Sequence, residues 1–361
     1  LKAVALGYKQ VDTIYRQLRK IRKYNDREIS LKKDLVTYSL DYKGFDNIDL
    51  IIEAIIEDID IKKNSFTELE KHINDNTIVA SNTSALSITE MSKAFKIPKR
   101  FVGMHFFNPV NRMPLIEVIP HSKTDKAVTK AIIELSYKTG KTPILVKDSP
   151  GFLVNRILLP YLNEAAYLLD ETSNIERIDE IIKDFGMPMG PLTLADNVGI
   201  DVGYKVAKIL EDHFGERMKV SPLIIKIYKD FKLLGKKSGE GFYLYKSKNL
   251  ISNDKIRQAC HSAKNFSKQI IIDRLILIMI NEAAKCIEEK IVAKVEHLDM
   301  AMIMGTGFPA FRGGLLRYAD NRGIANIVRE LENFTRDVSA RYKPTKLLIE
   351  MASNNQTFYK K

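Results

Sequence analysis

Residues 103–120 read GMHFFNPVNRMPLIEVIP: an apolar run that closes on His105, an Asn-Pro turn, and a second apolar run, Leu115 to Ile119, with Glu117 at its centre. Short apolar runs bounded by turn residues mark buried strands, and a chain that returns on itself here brings the two runs together. A carboxylate inside such a strand costs stability unless it is ionised and partnered, and a histidine on the neighbouring strand is a natural partner. A carboxylate that accepts the hydrogen of one imidazole nitrogen fixes the tautomer and leaves the other nitrogen free as a base. Taken alone, the pair reads better as a satisfied core histidine beside an edge-strand glutamate.

The surrounding pattern is alternating. Leu1 to Lys23 reads as an amphipathic helix, Asp49 to Ala54 (DLIIEA) as a buried strand, and Ile61, Phe66, Leu69 and Ile73 as one face of a helix. Thr77 to Ala80, Phe101 to His105, Leu115 to Ile119 and Pro143 to Val146 follow as strands, with a helix near Thr124 to Thr139 before the last. The segment SNTSALSITE (Ser81 to Glu90) leaves a strand and enters a helix, the end of an open α/β sheet at which ligands bind. By itself it reads first as a helix cap. After Asp148-Ser149-Pro150-Gly151 the strand signals cease and helices take over, which marks a domain boundary.

The helical half repeats itself. NRILLPYLNEAA (Asn155 to Ala166) returns 118 residues later as DRLILIMINEAA (Asp273 to Ala284), and Gly186 to Ile200 returns as Gly307 to Ile324. Three units follow: residues 1–148, α/β; 149–245, a first helical copy; and 246–361, a second copy. Leu275, Met279, Ala283 and Ile287 give the second copy an apolar stripe for packing, one that a purely internal core would give as well.

With 45% hydrophobic and 28% charged residues, the 361-residue chain supports several packed cores. The longest uncharged apolar stretch, Leu275 to Ile280, is far short of a membrane span of about 20 residues. Two cysteines, Cys260 and Cys286, form neither a disulfide framework nor a metal pattern, in keeping with a cytoplasmic setting. The net charge of +12 suits a polyanion such as coenzyme A; the lysines are scattered and form no aromatic-interleaved stripe of the kind nucleic acid requires.

Taken together, EAIIED (Glu53 to Asp58), ASNTS (Ala80 to Ser84), HFFNP (His105 to Pro109), Glu117, DSPGFLVNR (Asp148 to Arg156), MPMGP (Met187 to Pro191) and GKKSGEGFY (Gly235 to Tyr243) resemble, in order and spacing, the 3-hydroxyacyl-CoA dehydrogenase family. The duplicated helical part is similar to the long form found in the alpha subunit of the bacterial fatty acid oxidation complex. The resemblance implies an α/β plus all-α architecture: a Rossmann-type NAD-binding domain, here incomplete, followed by two tandem helical dehydrogenase carboxy-terminal domains. It implies NAD as cofactor, an acyl-CoA substrate, and a possible thiolase subunit and enoyl-CoA hydratase domain as partners. By the same resemblance His105 is the base that takes the proton of the 3-hydroxyl, Glu117 orients it, and Ser84 and Asn155 hold the substrate. Glu57, Lys62, Asn108 and Lys237 match positions that contact the dinucleotide. The second copy has Asp273 in place of Asn155 and Phe-Pro-Ala-Phe-Arg-Gly in place of Met-Pro-Met-Gly-Pro, and is expected to be non-catalytic, covering an apolar face of the first.

One departure stands out. The G-x-G-x-x-G turn and the acidic residue that opens a dinucleotide fold are not found ahead of the first strand, and the formal match from Gly305 to Ala310 follows a helix, with a proline where a helix must start. A chain that begins at Leu1 is read as a fragment lacking two central strands, with exposed sheet edges and a tendency to associate. It is then either part of a complete dehydrogenase encoded partly upstream, or a non-catalytic remnant or split-gene piece retaining folding or subunit-association roles.

Overall fold

The computed structural model describes residues 2–245 and 250–360. Leu1 of the expected opening helix, and residues 246–249 and 361 of the last expected unit, lie outside them. The chain opens with α1 (Lys2–Lys20) and α2 (Asp26–Asp34), neither of which contains a buried residue. The sequence reading had not anticipated α2, whose start is fixed by a reciprocal cap between Asn25 and Glu28.

The α/β part then runs β1 (Leu50–Glu53), α3 (Ile59–Leu69), β2 (Ile78–Ser81), α4 (Ile88–Ser92), β3 (Phe101–Phe106), β4 (Leu115–Ile119), α5 (Lys126–Lys138) and β5 (Thr142–Leu145). All five expected strands form, within a residue or two of their expected bounds. They make one sheet in chain order, β1-β2-β3-β4-β5, with β3 and β4 antiparallel and the other neighbours parallel. β1 is an outer strand whose free edge faces no other described strand. Ile52 within it and Ile56 just after it are 43% and 57% exposed, an open apolar margin of the kind expected from the sequence.

The helical part comprises α6 (Val154–Thr172), α7 (Ile175–Phe185), α8 (Pro191–Val198), α9 (Ile200–Phe214) and α10 (Pro222–Lys229). There follow α11 (Asp254–Arg257), α12 (Lys268–Glu288), α13 (Val295–Thr306), α14 (Leu315–Arg322), α15 (Ile324–Asp337) and α16 (Lys346–Ser353). Strand pairing among the described residues of this half is confined to β6 (Tyr243–Leu244), antiparallel to β7 (Ile251–Ser252). Gly305 lies within α13 near its carboxy-terminal end and Gly307 caps that helix with a positive φ, so the formal glycine motif is a helix terminus.

Two internal equivalences show how the copies pack. Arg156 on α6 donates to Glu282 on α12 at 2.7 Å, and Arg274 on α12 pairs with Glu164 on α6 in return. Residue i meeting j while j's counterpart meets i's is the signature of a twofold interface, here closed inside one chain. The buried aspartates repeat as well. Asp179 accepts from the backbone of Leu192 and Thr193 at the start of α8 and from the Tyr243 hydroxyl, all at 2.8–3.0 Å. Asp299 does the same for Leu316, Arg317 and Tyr359 at 2.7–3.0 Å. Glycine is required opposite each, since a Cβ at Gly190 or Gly314 would stand 2.1 or 2.3 Å from the facing carboxyl carbon. The expected stripe residues Leu275, Met279 and Ala283 are buried, and so is every other residue from Ile271 to Ala284, as befits a helix enclosed on all sides.

Candidate active site

His105 and Glu117 are direct cross-strand partners in the β3–β4 register. The imidazole Nδ1 lies 2.7 Å from Glu117 Oε2, with both side chains buried. A carboxylate only accepts, so Nδ1 carries the hydrogen and Nε2 presents its lone pair. Among the described residues Nε2 has no hydrogen-bond partner, while Phe107 and Phe152 flank the ring with centroids 4.5 and 5.7 Å away.

The other oxygen of Glu117 accepts the N–H groups of Leu153 and Val154 at 3.0 and 2.9 Å. These are the unsatisfied donors at the start of α6, where the helix dipole favours negative charge. One carboxylate thus steadies the histidine on the sheet and the first turn of the helical part together. The next residue on α6 is Asn155, whose side-chain amide donates to the Ser84 carbonyl at 3.0 Å. His105, Glu117, Asn155 and Ser84 are therefore joined through consecutive short contacts across the junction of the two halves. The Ser84 hydroxyl has no protein partner among the described residues.

The four expected dinucleotide contacts separate into two kinds. Asn108, just after β3, is exposed, and Lys237 is half-exposed with its amine 2.5 Å from Asp201 at the start of α9. Glu57 is committed to the loop that carries Ser84: one oxygen accepts Thr83 Oγ1 at 2.6 Å, Ser84 N at 2.8 Å and Ala85 N at 3.2 Å. Lys62 is sealed, its Nζ 2.6 Å from Glu53, which also takes the Ser81 hydroxyl at 2.5 Å. Lys62 therefore holds the mouth of β1 and β2 in shape through Glu53, a residue the sequence reading had passed over although it lies in the same EAIIED run. Asp196 was passed over too. It fixes the Lys237 segment to α8 by accepting Phe242 N and Tyr243 N, each at 2.9 Å, and burial pushes its pKa up to about 6. Its counterpart Asp320 accepts Phe358 N and Tyr359 N at 2.8 and 3.0 Å, but the preceding run, Asn354 to Thr357, contains no lysine. In that copy Asp273, where the first has Asn155, is bound to Arg322 and Gln269.

Asn108 after β3 and Lys237 ahead of β6 are thus the exposed members of the four. The glycine turn that would grip the pyrophosphate is not among these 361 residues. The chain by itself is accordingly expected to bind NADH too weakly to saturate in the micromolar range, as measured by calorimetric titration; tight binding would show that the phosphates are held elsewhere.

No described helix is long and apolar enough to cross a membrane. The family profile described as "3-hydroxyacyl-CoA dehydrogenase, NAD binding domain" matches residues 2–149, and that described as "3-hydroxyacyl-CoA dehydrogenase, C-terminal domain" matches residues 151–245 and 270–361. The chain is 39% identical over 99% of its length to the fatty acid oxidation complex subunit alpha of Acinetobacter baumannii (strain SDF), of which it covers 51%. It thus spans about half the length of the curated relatives it matches. Among solved structures, 3-hydroxybutyryl-CoA dehydrogenase from Escherichia coli K12 superposes with a TM-score of 0.84 at 25% identity, covering 98% of this chain and 92% of that one. The (S)-3-hydroxybutyryl-CoA dehydrogenase from Ralstonia eutropha gives a TM-score of 0.64 at 35% identity, covering 68% of this chain and 88% of that one.

Proposed function

The chain belongs to the 3-hydroxyacyl-CoA dehydrogenase family, and from that premise we propose that it carries the substrate-handling half of an NAD-dependent oxidation of (3S)-3-hydroxyacyl-CoA to 3-ketoacyl-CoA. The observation that carries the reading is the His105–Glu117 pair, braced on the first turn of α6. His105 Nε2 takes the proton of the 3-hydroxyl, and Glu117 steadies the imidazolium that results. Bound NAD supplies the acceptor for the hydride released from C3. Ser84 and Asn155 hold the substrate against the imidazole, and such positioning lowers a barrier by up to about 7 kcal/mol. Asn108 and Lys237 face the cofactor; Glu57 and Lys62 shape the floor beneath it.

The divisions 1–148, 149–245 and 246–361 serve as cofactor unit, catalytic helical unit and non-catalytic second copy. The salt-bridged Asp273 and the lysine-free run before Tyr359 support that last role. The relatives' name supports association into a complex, for which a thiolase subunit is the proposed partner.

The test is NADH oxidation driven by acetoacetyl-CoA, in a protein with a strand–glycine-turn–helix unit joined ahead of Leu1. Turnover that requires the thioester supports the reading. A folded, NADH-binding protein without turnover overturns it.

A further inference from the structure

The second helical copy reaches past α6 to the sheet. Its helix α13 packs on β4, the strand that carries Glu117. The formal glycine motif falls at the end of α13, and Gly305 is the residue at the contact. A Cβ there would stand 2.9 Å from Leu115 Cδ2 and 3.2 Å from both methyls of Val154. Leu115 and Val154 are fully buried, so neither has free space to retreat into.

Both neighbours are tied to the candidate site. Residues two apart on a strand share a face, so Leu115 lies on the same side of β4 as Glu117. Val154, in the first turn of α6, donates its N–H to Glu117. Gly305 thus lies where β4 meets the start of α6, against one residue from each. A backbone bond adds to this seat: Lys147 N, just after β5, donates to Ile291 O, ahead of α13, at 2.8 Å.

The helix itself does not ask for glycine at 305. Glycine is a poorer helix former than alanine, and the φ of Gly305 lies outside the left-handed region. The matching helix of the first copy, α7, reaches its cap Gly186 with no glycine inside it. What differs is the surface beneath. α7 packs chiefly on α8, α12 and α6, whereas α13 packs on α14, α6 and β4.

We infer that Gly305 is a positioning residue of the active site, the point at which the second copy fixes the spacing between β4 and the first turn of α6. The inference rests on the dehydrogenase reading above. Glu117 holds His105 with one oxygen and the Leu153 and Val154 amides with the other, all at 2.7–3.0 Å. A carboxylate bridged in this way keeps all three bonds at one spacing only. A small displacement of helix from sheet lengthens the bonds on one side, and the imidazole loses its fixed orientation. The second copy touches no substrate; it sets how firmly the acid holds the base.

The experiment reads the His105 ring directly. In the 361-residue chain with isotope-labelled histidine, NMR follows the Nδ1 hydrogen held by Glu117, assigned by its loss in His105→Gln, and needs no NAD. Gly305→Ala is expected to shift that resonance and, in the protein completed ahead of Leu1, to lower kcat for acetoacetyl-CoA reduction about ten- to a hundredfold. Adding Leu115→Val, which removes the methyl in the way, restores the resonance and returns kcat to within about threefold of the wild type. Ala319→Val, which crowds the second copy's core on α14, lowers the denaturation midpoint and leaves the resonance in place. A wild-type resonance in Gly305→Ala overturns the inference, as does a pair no better than the single variant, or a resonance shifted equally in Ala319→Val. Should Gly305→Ala alone not fold, the pair decides: folded with the wild-type resonance it supports the contact, unfolded it overturns it. Turnover that survives His105→Gln while Gly305→Ala still moves the resonance would end the dehydrogenase mechanism and leave the positioning role standing.

Discussion

Substituting His105→Gln, in the protein completed ahead of Leu1, is expected to lower kcat for acetoacetyl-CoA reduction by NADH roughly a hundred- to ten-thousandfold, the range attributed to a positioned acid–base group. KM should change little. The imidazole sits behind Phe107 and Phe152 on a rigid strand pair, and glutamine can fill the same space and still donate to Glu117. What glutamine lacks is a nitrogen that can gain or lose the proton. The readout is the fall in NADH absorbance, with acetoacetyl-CoA affinity followed separately by calorimetry. Less than a tenfold fall in kcat, with binding intact, would take the proton-transfer role away from His105.

Arg274→Met should be the most damaging single change to stability outside the site. Glu164 is fully buried and held by Arg274 from one side and by Arg341, 2.9 Å away, from the other. Removing one partner of a buried ion pair typically costs about 3–5 kcal/mol, because the remaining charge is left in a poorly solvating interior. The expected result is an unfolding free energy lowered by that amount, read as a lower denaturation midpoint with little change in the denaturant dependence. Adding Glu164→Leu should restore part of the loss, since two apolar groups need no partner. If the single variant unfolds like the wild type, Arg341 alone satisfies Glu164 and Arg274 adds nothing to the interface.

The α/β half and the His105–Glu117 pair were legible because both residues sit at defined positions in short apolar runs, where a charge without a partner is costly. Ser84 and Asn155 were reached through the family resemblance, since a serine after a strand is usually only a cap. The contacts of Glu57 within the chain were not legible. Besides Lys62 they are the Thr83 hydroxyl and the amides of Ser84 and Ala85, and backbone donors leave no trace in residue identity. Lys62 is buried against Glu53, a setting that the identity of a lysine on a helix does not reveal. The α12 stripe is part of a wider apolar surface, because isoleucines and leucines occupy every face of that helix and its charged Asp273, Arg274 and Glu282 are paired instead of marking a wet side. The second repeat's end, Phe358-Tyr359, went unread, since its function lies in two backbone amides offered to Asp320.

Having both faces of the α6–α12 contact on a single polypeptide changes how the protein responds to its own abundance. Two separate subunits joined by such a face come apart on dilution, and their melting temperature falls with concentration. Here the tether keeps the partner permanently at hand. The face that holds α6, and with it Asn155, in place is as well occupied in a scarcely expressed protein as in an abundant one.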